Sequence, residues 1–157
     1  MARKLERHVI SASAIIPARR ERIYSLIANY RDGHPRILPR QFSNLTVEQG
    51  GVGAGTVIRF QMSVFGKKQT FRAAITEPEP GRVLVETDLD TNGAVTTFTV
   101  NPGTAPADSS VTISTELPVR SGFLGKVERA LATFLLRPIY VKELENLARV
   151  ATGPFGA

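Results

Sequence analysis

A chain of 157 residues with 42% apolar side chains is long enough to bury one core and short for two, so residues 1–157 are read as one domain. Without cysteine, and with only His8 and His34 as imidazole donors, the composition argues against a disulfide framework or a zinc centre, and no metal or cofactor is expected. The net charge of +6 is spread along the chain, with small groups at Arg3, Lys4 and Arg7 and at Arg19, Arg20 and Arg22; lacking aromatic interleaving, it predicts a solvated basic surface and no nucleic-acid partner.

The first residues, Met1 to Arg7, carry no apolar block of the signal-peptide kind, and no apolar run is long enough to span a bilayer, so a cytoplasmic location is expected. His8 to Ile16 reads as a first strand, rich in β-branched and small residues and stopped by Pro17. From Ala18 to Tyr30, Ile23, Leu26, Ile27 and Tyr30 recur at helical spacing, with Arg19, Arg20, Glu21 and Arg22 on the wet side. Asp32, Gly33 and Pro35 end that helix, and a short turn or helix with His34, Ile37 and Leu38 follows before Pro39.

Strands separated by turns come next: Phe42 to Glu48, Thr56 to Phe65, Gln69 to Thr76, Arg82 to Leu89, Val95 to Asn101 and Ser110 to Leu117. The segment from Gly50 to Gly55 precedes a strand and lacks the Lys and Ser/Thr of a phosphate loop, so it reads as a plain turn. Two dipeptides suggest tight hairpins, Gly66-Lys67 and Asn92-Gly93. The first sets Met62 opposite Phe71, Phe60 opposite Ala73 and Ile58 opposite Ile75; the second sets Leu89 opposite Thr96, Thr87 opposite Phe98 and Val85 opposite Val100. Continued alternation adds Val83, Val111, Ile113 and Thr115 to the same apolar face. The opposite face takes Arg59, Gln61, Ser63, Thr70, Arg72, Glu86, Asp88, Thr97, Thr99, Ser114 and Glu116, with Arg72 and Glu86 as a cross-strand pair.

Such a one-sided meander needs a cover. The stretch from Gly122 to Ala151, in a helix over about 120–151, supplies it: Phe123, Leu124, Val127, Ala130, Leu131, Phe134, Leu135, Val141, Leu144 and Leu147 alternate at three- and four-residue steps. Pro138 predicts a bend within one helix. Arg120, Lys126, Glu128, Arg129, Lys142, Glu143 and Glu145 are expected to face water. A curved antiparallel sheet wrapped on one helix, an α+β fold, follows.

At this point the chain resembles the START-like (SRPBCC) superfamily, most of all its bacterial polyketide cyclase/dehydrase branch. The resemblance rests on Ile16 and Ala18 ahead of a helix with Ile23, Tyr24, Leu26 and Ile27, on Gly51, Val52, Gly53, Ala54, Gly55 and Thr56 before a strand, and on Leu136, Arg137 and Pro138 inside the last helix with Glu143, Leu144 and Leu147 after them. It implies a helix-grip fold, a seven-stranded sheet curled about a long C-terminal helix with two short helices after the first strand, and an elongated cavity for an apolar molecule.

The expected cavity wall is Ile58, Phe60, Met62, Phe71, Ala73, Val85, Thr87, Thr96, Phe98, Ile113, Thr115, Leu131, Phe134 and Tyr140, its threonines and tyrosines orienting a hydrophobic ligand. The only catalytic candidates are His34 and Tyr140. His34 is read either as a general base oriented by Asp32 or as a surface-loop histidine beside Pro35. Tyr24 and Tyr30 read as packing, and no role is expected of His8. Three functions stay open: binding of a lipid, polyketide, isoprenoid or aromatic metabolite; a metal-free cyclase or dehydratase; and a carrier of lipid or quinone apposed to an anionic membrane through the basic surface. Oligomeric state, monomer or dimer, is not fixed by the sequence.

Overall fold

The computed structural model describes residues 5–64 and 66–154; Arg3, Lys4 and Phe65, which figure in the expectations above, lie outside that range. The chain runs β1 (Glu6–Ile16), α1 (Arg20–Ala28), a single 3-10 turn (His34–Arg36), β2 (Phe42–Gln49), β3 (Val57–Val64), β4 (Lys67–Glu79), β5 (Val83–Asp88), β6 (Val95–Pro102), β7 (Ser109–Val119) and α2 (Gly122–Thr152). All seven strands form one antiparallel sheet in the order β1-β7-β6-β5-β4-β3-β2. This is the helix-grip fold: a curved sheet around a long C-terminal helix, which continues through Pro138 as one element.

The core lies between the sheet and the two helices. Ile23, Leu26, Ile27 and Tyr30 are buried as the stripe on α1 predicts, and Ile10, Ile58, Ile75, Phe98, Val111 and Ile113 meet them from the strands. The glycine-rich turn ties α1 to the sheet. Gly53 donates to the Ala28 carbonyl at 2.9 Å, and the Gly51 carbonyl accepts from Tyr30 at 2.8 Å. Glycine suits position 53, where φ is +64° and an added Cβ would lie 2.1 Å from Glu77 Oε1, so a larger residue would be strained and would displace that carboxylate.

Two register shifts separate the sheet from its expected form. In the β3–β4 hairpin Phe60 pairs with Phe71 instead of Ala73, and Ile58 with Ala73 instead of Ile75. That slip is even, so each side chain keeps its face. In the β5–β6 hairpin Val85 pairs with Thr97, three residues from the expected Val100. An odd slip turns the strand over: Leu84, Glu86 and Asp88 face inward, and Val83, Val85 and Thr87 face outward.

The cause is the connection. Residues 89–94 form a six-residue loop organised by the Asp88 carboxylate, which accepts from the Thr91 hydroxyl and from the amides of Asp90, Asn92 and Gly93. A two-residue Asn-Gly turn is therefore not made. Nor do Arg72 and Glu86 pair; Arg72 bonds Glu48 at 2.9 Å and Asp90 at 3.3 Å on the outer surface.

Candidate functional site

The reversal of β5 places a carboxylate in the interior. Directly paired residues form a row across the inner face: Ile75, Glu86, Thr96 and Thr115 on β4 to β7. Above this row sits an apolar cavity of about 190 Å³. Its wall comes from Phe42, Leu45, Ile58, Phe60, Met62, Phe71, Ala73, Phe98, Leu117 and Leu136. Three rings are in series, Phe42 to Phe60 at 5.7 Å and Phe60 to Phe71 at 5.5 Å. The exposed Asn92, with Ala94, Asp88 and Arg72, marks the entrance, and the buried His34 and Glu143 mark the closed end.

The backbone beyond α1 fixes His34. The Asn29 carbonyl accepts from the amides of Gly33 at 2.9 Å and His34 at 2.7 Å, and the Asn29 side chain caps Arg31 and Asp32. The imidazole is 2% exposed, stacked on Tyr30 at 4.4 Å and edge-on to Phe98 at 5.6 Å. His34 Nδ1 lies 2.7 Å from the Ile27 carbonyl oxygen. A carbonyl only accepts, so Nδ1 carries the proton. Nε2 then faces Glu86 Oε1 at 3.7 Å and Glu143 Oε1 at 3.8 Å. His34 is thus neither in a surface loop nor oriented by Asp32.

Glu143 is the unusual member. It is 3% exposed on the inner side of α2, and its Oε1 has no hydrogen-bond partner. Burial, and secondarily the nearby Glu86 charge, pushes its carboxyl well above the usual carboxylate range, which favours the protonated form. Glu86 Oε1 accepts from the Tyr30 hydroxyl at 2.6 Å. Burial and the Glu86 charge in turn push the Tyr30 hydroxyl up, which keeps it a donor. Tyr140 closes the other side: its hydroxyl is 2.5 Å from Thr115 Oγ1, which is 2.7 Å from Thr96 Oγ1, and burial raises it to about 12.

Of the residues singled out in the sequence, Ile58, Phe60, Met62, Phe71, Ala73, Thr96, Phe98, Thr115, Tyr140 and His34 line the cavity. Ile113 faces inward but packs in the core away from it. Val85 and Thr87 stand on the outer face because β5 is reversed. Leu131 and Phe134 are exposed on the outer side of α2. Glu143, expected in water, was the residue most readily missed. Its signal lay in the spacing of Tyr140, Glu143, Leu144 and Leu147, which puts a carboxyl on the buried stripe of the helix.

Among the described residues no His, Asp and Glu group has metal-holding geometry, and no helix is long and apolar enough to cross a membrane. The sheet, the gripping helix and a blind apolar cavity with polar groups at its end define a START-like ligand-cavity protein. Residues 7–152 match the family described as polyketide cyclase / dehydrase and lipid transport, and the chain belongs to that family. No curated protein sequence matches it. Among solved structures it is similar to the KanY protein, at 26% identity and a TM-score of 0.79, with 98% of this chain and 100% of that one covered. A START superfamily protein from Mycobacterium smegmatis aligns at 16% identity and a TM-score of 0.74 over 92% of this chain and 99% of that one. The Streptomyces aromatase/cyclase Zhui aligns at 14% identity and a TM-score of 0.72 over 93% and 94%. At such identities the last two speak for the fold alone.

Proposed function

We propose that this protein is an acid–base enzyme of the cyclase or dehydratase kind, acting on an apolar carbonyl compound of about ring size. One observation carries the reading: at the buried end of an apolar cavity a Glu143 carboxyl, whose Oε1 has no hydrogen-bond partner, lies 3.8 Å from His34 Nε2. A filled core has no use for a lone buried carboxyl, which costs about 1–3 kcal/mol without a partner. A substrate oxygen placed there supplies the partner. The volume sets the size, since a cavity of about 150 Å³ takes benzene.

In this reading the aromatic wall desolvates the substrate and holds its ring, at about 25 cal/mol per Å² of apolar area removed from water. Glu143 donates a proton to the carbonyl oxygen, and His34 Nε2 accepts one from the adjacent carbon. The Ile27 carbonyl stabilises the imidazolium that forms, and Glu86, held by Tyr30, lies 3.7 Å from it. Tyr140 and Thr115 orient a second polar group. The enol so formed attacks a second carbonyl carbon in cyclisation, or expels a β-hydroxyl as water in dehydration; in either case His34 returns its proton to the receiving or leaving oxygen, and the enol O–H proton goes back to Glu143 as the carbonyl re-forms.

The test uses 2-tetralone, an apolar ketone of suitable size, in deuterated buffer with exchange at its α-carbon followed by NMR. Wild-type protein is expected to accelerate exchange, and Glu143→Gln and His34→Gln to lower the rate by about 10²–10⁴-fold. Saturable tetralone binding with exchange at the buffer rate defeats the enzyme reading and leaves the chain as a binder of apolar ligands, the role its aromatic wall favours.

A further inference from the structure

The N-terminal half of α2 is apolar on two sides, and the sheet covers only one. Phe123 and Phe134 are 80% and 73% exposed, and Leu124, Val127 and Leu131 are about half exposed beside them. At the helical repeat these five fall in one stripe, on the side away from the buried Gly125. A contiguous apolar stripe left exposed and bordered by charge marks a surface that something else covers. Lys126 and Arg137 border the stripe along one edge. Among the described residues neither has an ion-pair partner, whereas Arg120, Arg129 and Lys142 are tied to Glu128, Glu6 and Glu145.

We propose that this stripe docks on an anionic lipid surface, with Phe123 and Phe134 at the boundary of headgroups and acyl chains and Lys126 and Arg137 on lipid phosphates. Charge selects the occupant. A second copy would bring a net +6 against +6 and stack unpaired cations on like charge, whereas an anionic bilayer gains from both. Position agrees with charge. Leu136, two residues from Phe134, lines the cavity with Leu117 and with Ala94 of the entrance loop, so a docked helix holds the entrance close to the lipid. This inference stands apart from the chemistry at Glu143.

Flotation with vesicles of phosphatidylcholine, alone or mixed with phosphatidylglycerol, tests it. The wild-type protein is expected to float with the mixed vesicles, to leave them as salt rises, and to ignore the neutral ones. Lys126→Gln with Arg137→Gln should lower the apparent affinity by roughly thirtyfold, and Phe123→Ser with Phe134→Ser should abolish flotation. Because all four side chains are on the surface, thermal unfolding of both variants should match wild type. Hydrogen exchange of unaltered protein on mixed vesicles gives an independent reading, with protection expected over residues 122–137. The proposal is overturned by wild-type protein that does not float with mixed vesicles, by variants that float as wild type does, or by protection that falls elsewhere. Sedimentation showing a dimer that the phenylalanine variants dissociate would overturn it as well, in favour of a second copy.

Discussion

The two halves of α2 carry similar apolar content and meet different surroundings. From Pro138 onward, Ile139, Tyr140, Glu143, Leu144, Leu147, Val150 and Ala151 are buried against the core. Before Pro138 only Gly125 is fully buried; Leu136 packs half-buried against the core, while Phe123, Leu124, Val127, Leu131 and Phe134 are exposed. The C-terminal half closes the cavity and places the Glu143 carboxyl in it; the N-terminal half passes beside the sheet, where Thr133 meets His8 at 2.9 Å. Apolar periodicity along a helix therefore reports that a face wants burial, without saying which neighbour buries it.

The contrast is broken most directly by cutting equivalent side chains from each half. Leu147 is 1% exposed, and Leu147→Ala is expected to cost about 2–5 kcal/mol of unfolding free energy by lost transfer and cavity formation. Leu124, 54% exposed, should lose less than about 0.5 kcal/mol when cut to alanine. Urea denaturation of the two variants measures both. Equal losses would mean the N-terminal half is buried in solution.

The next effect is a slope with pH, and it belongs to the C-terminal half alone. The folded-state pKa of Glu143 is raised, so between its unfolded value and that raised value the folded protein holds a proton that the unfolded chain has released. Stability falls as pH rises through that window, by at most about 1.4 kcal/mol per pH unit from this group. Glu143→Gln keeps the shape, cannot ionise and should remove this contribution, so the variant gains on wild type as pH rises from 5 to 8. Denaturation midpoints in a pH series decide it; parallel curves would show that Glu143 is ionised in the fold.

A smaller effect is expected at the hydroxyl chain. Tyr140→Phe removes the partner of Thr115, whose Oγ1 still has Thr96 at 2.7 Å, so the cost should be near 1 kcal/mol. In the tetralone assay the same variant is expected to weaken binding more than exchange, since the proposed reaction uses Tyr140 to orient and Glu143 to transfer the proton. An exchange rate lowered as far as in Glu143→Gln would place Tyr140 in the proton path instead.

How much of this was legible in the sequence depended on parity. The faces of β3, β4, β6 and β7 could be read because their alternation is regular and the Phe60–Phe71 slip is even. β5 could not. Its face was set by a six-residue loop nucleated on Asp88, a choice made by side-chain hydrogen bonds that hydrophobic alternation does not record. Glu86 was lost to the reading for that reason alone. Glu143 was lost for another: in a helix with apolar residues all round, averaging over both halves hid the stripe that carries it. His34 could be picked out as titratable, yet its burial came from the Asn29 turn and the Ile27 carbonyl, which are backbone contacts.

The smallest effect is expected where the exposed area is largest. Phe134→Ser removes a ring that is 73% in water, and a surface change away from any buried partner stays within about 0.5 kcal/mol. Its consequence should appear at the lipid surface instead: one of the two rings placed at the boundary of headgroups and acyl chains is lost, so flotation with anionic vesicles weakens. Flotation of the single variant, against unchanged denaturation midpoints, tests this. A destabilisation approaching that of Leu147→Ala would show that Phe134 is covered by the protein itself, and the two halves of α2 would then share one environment.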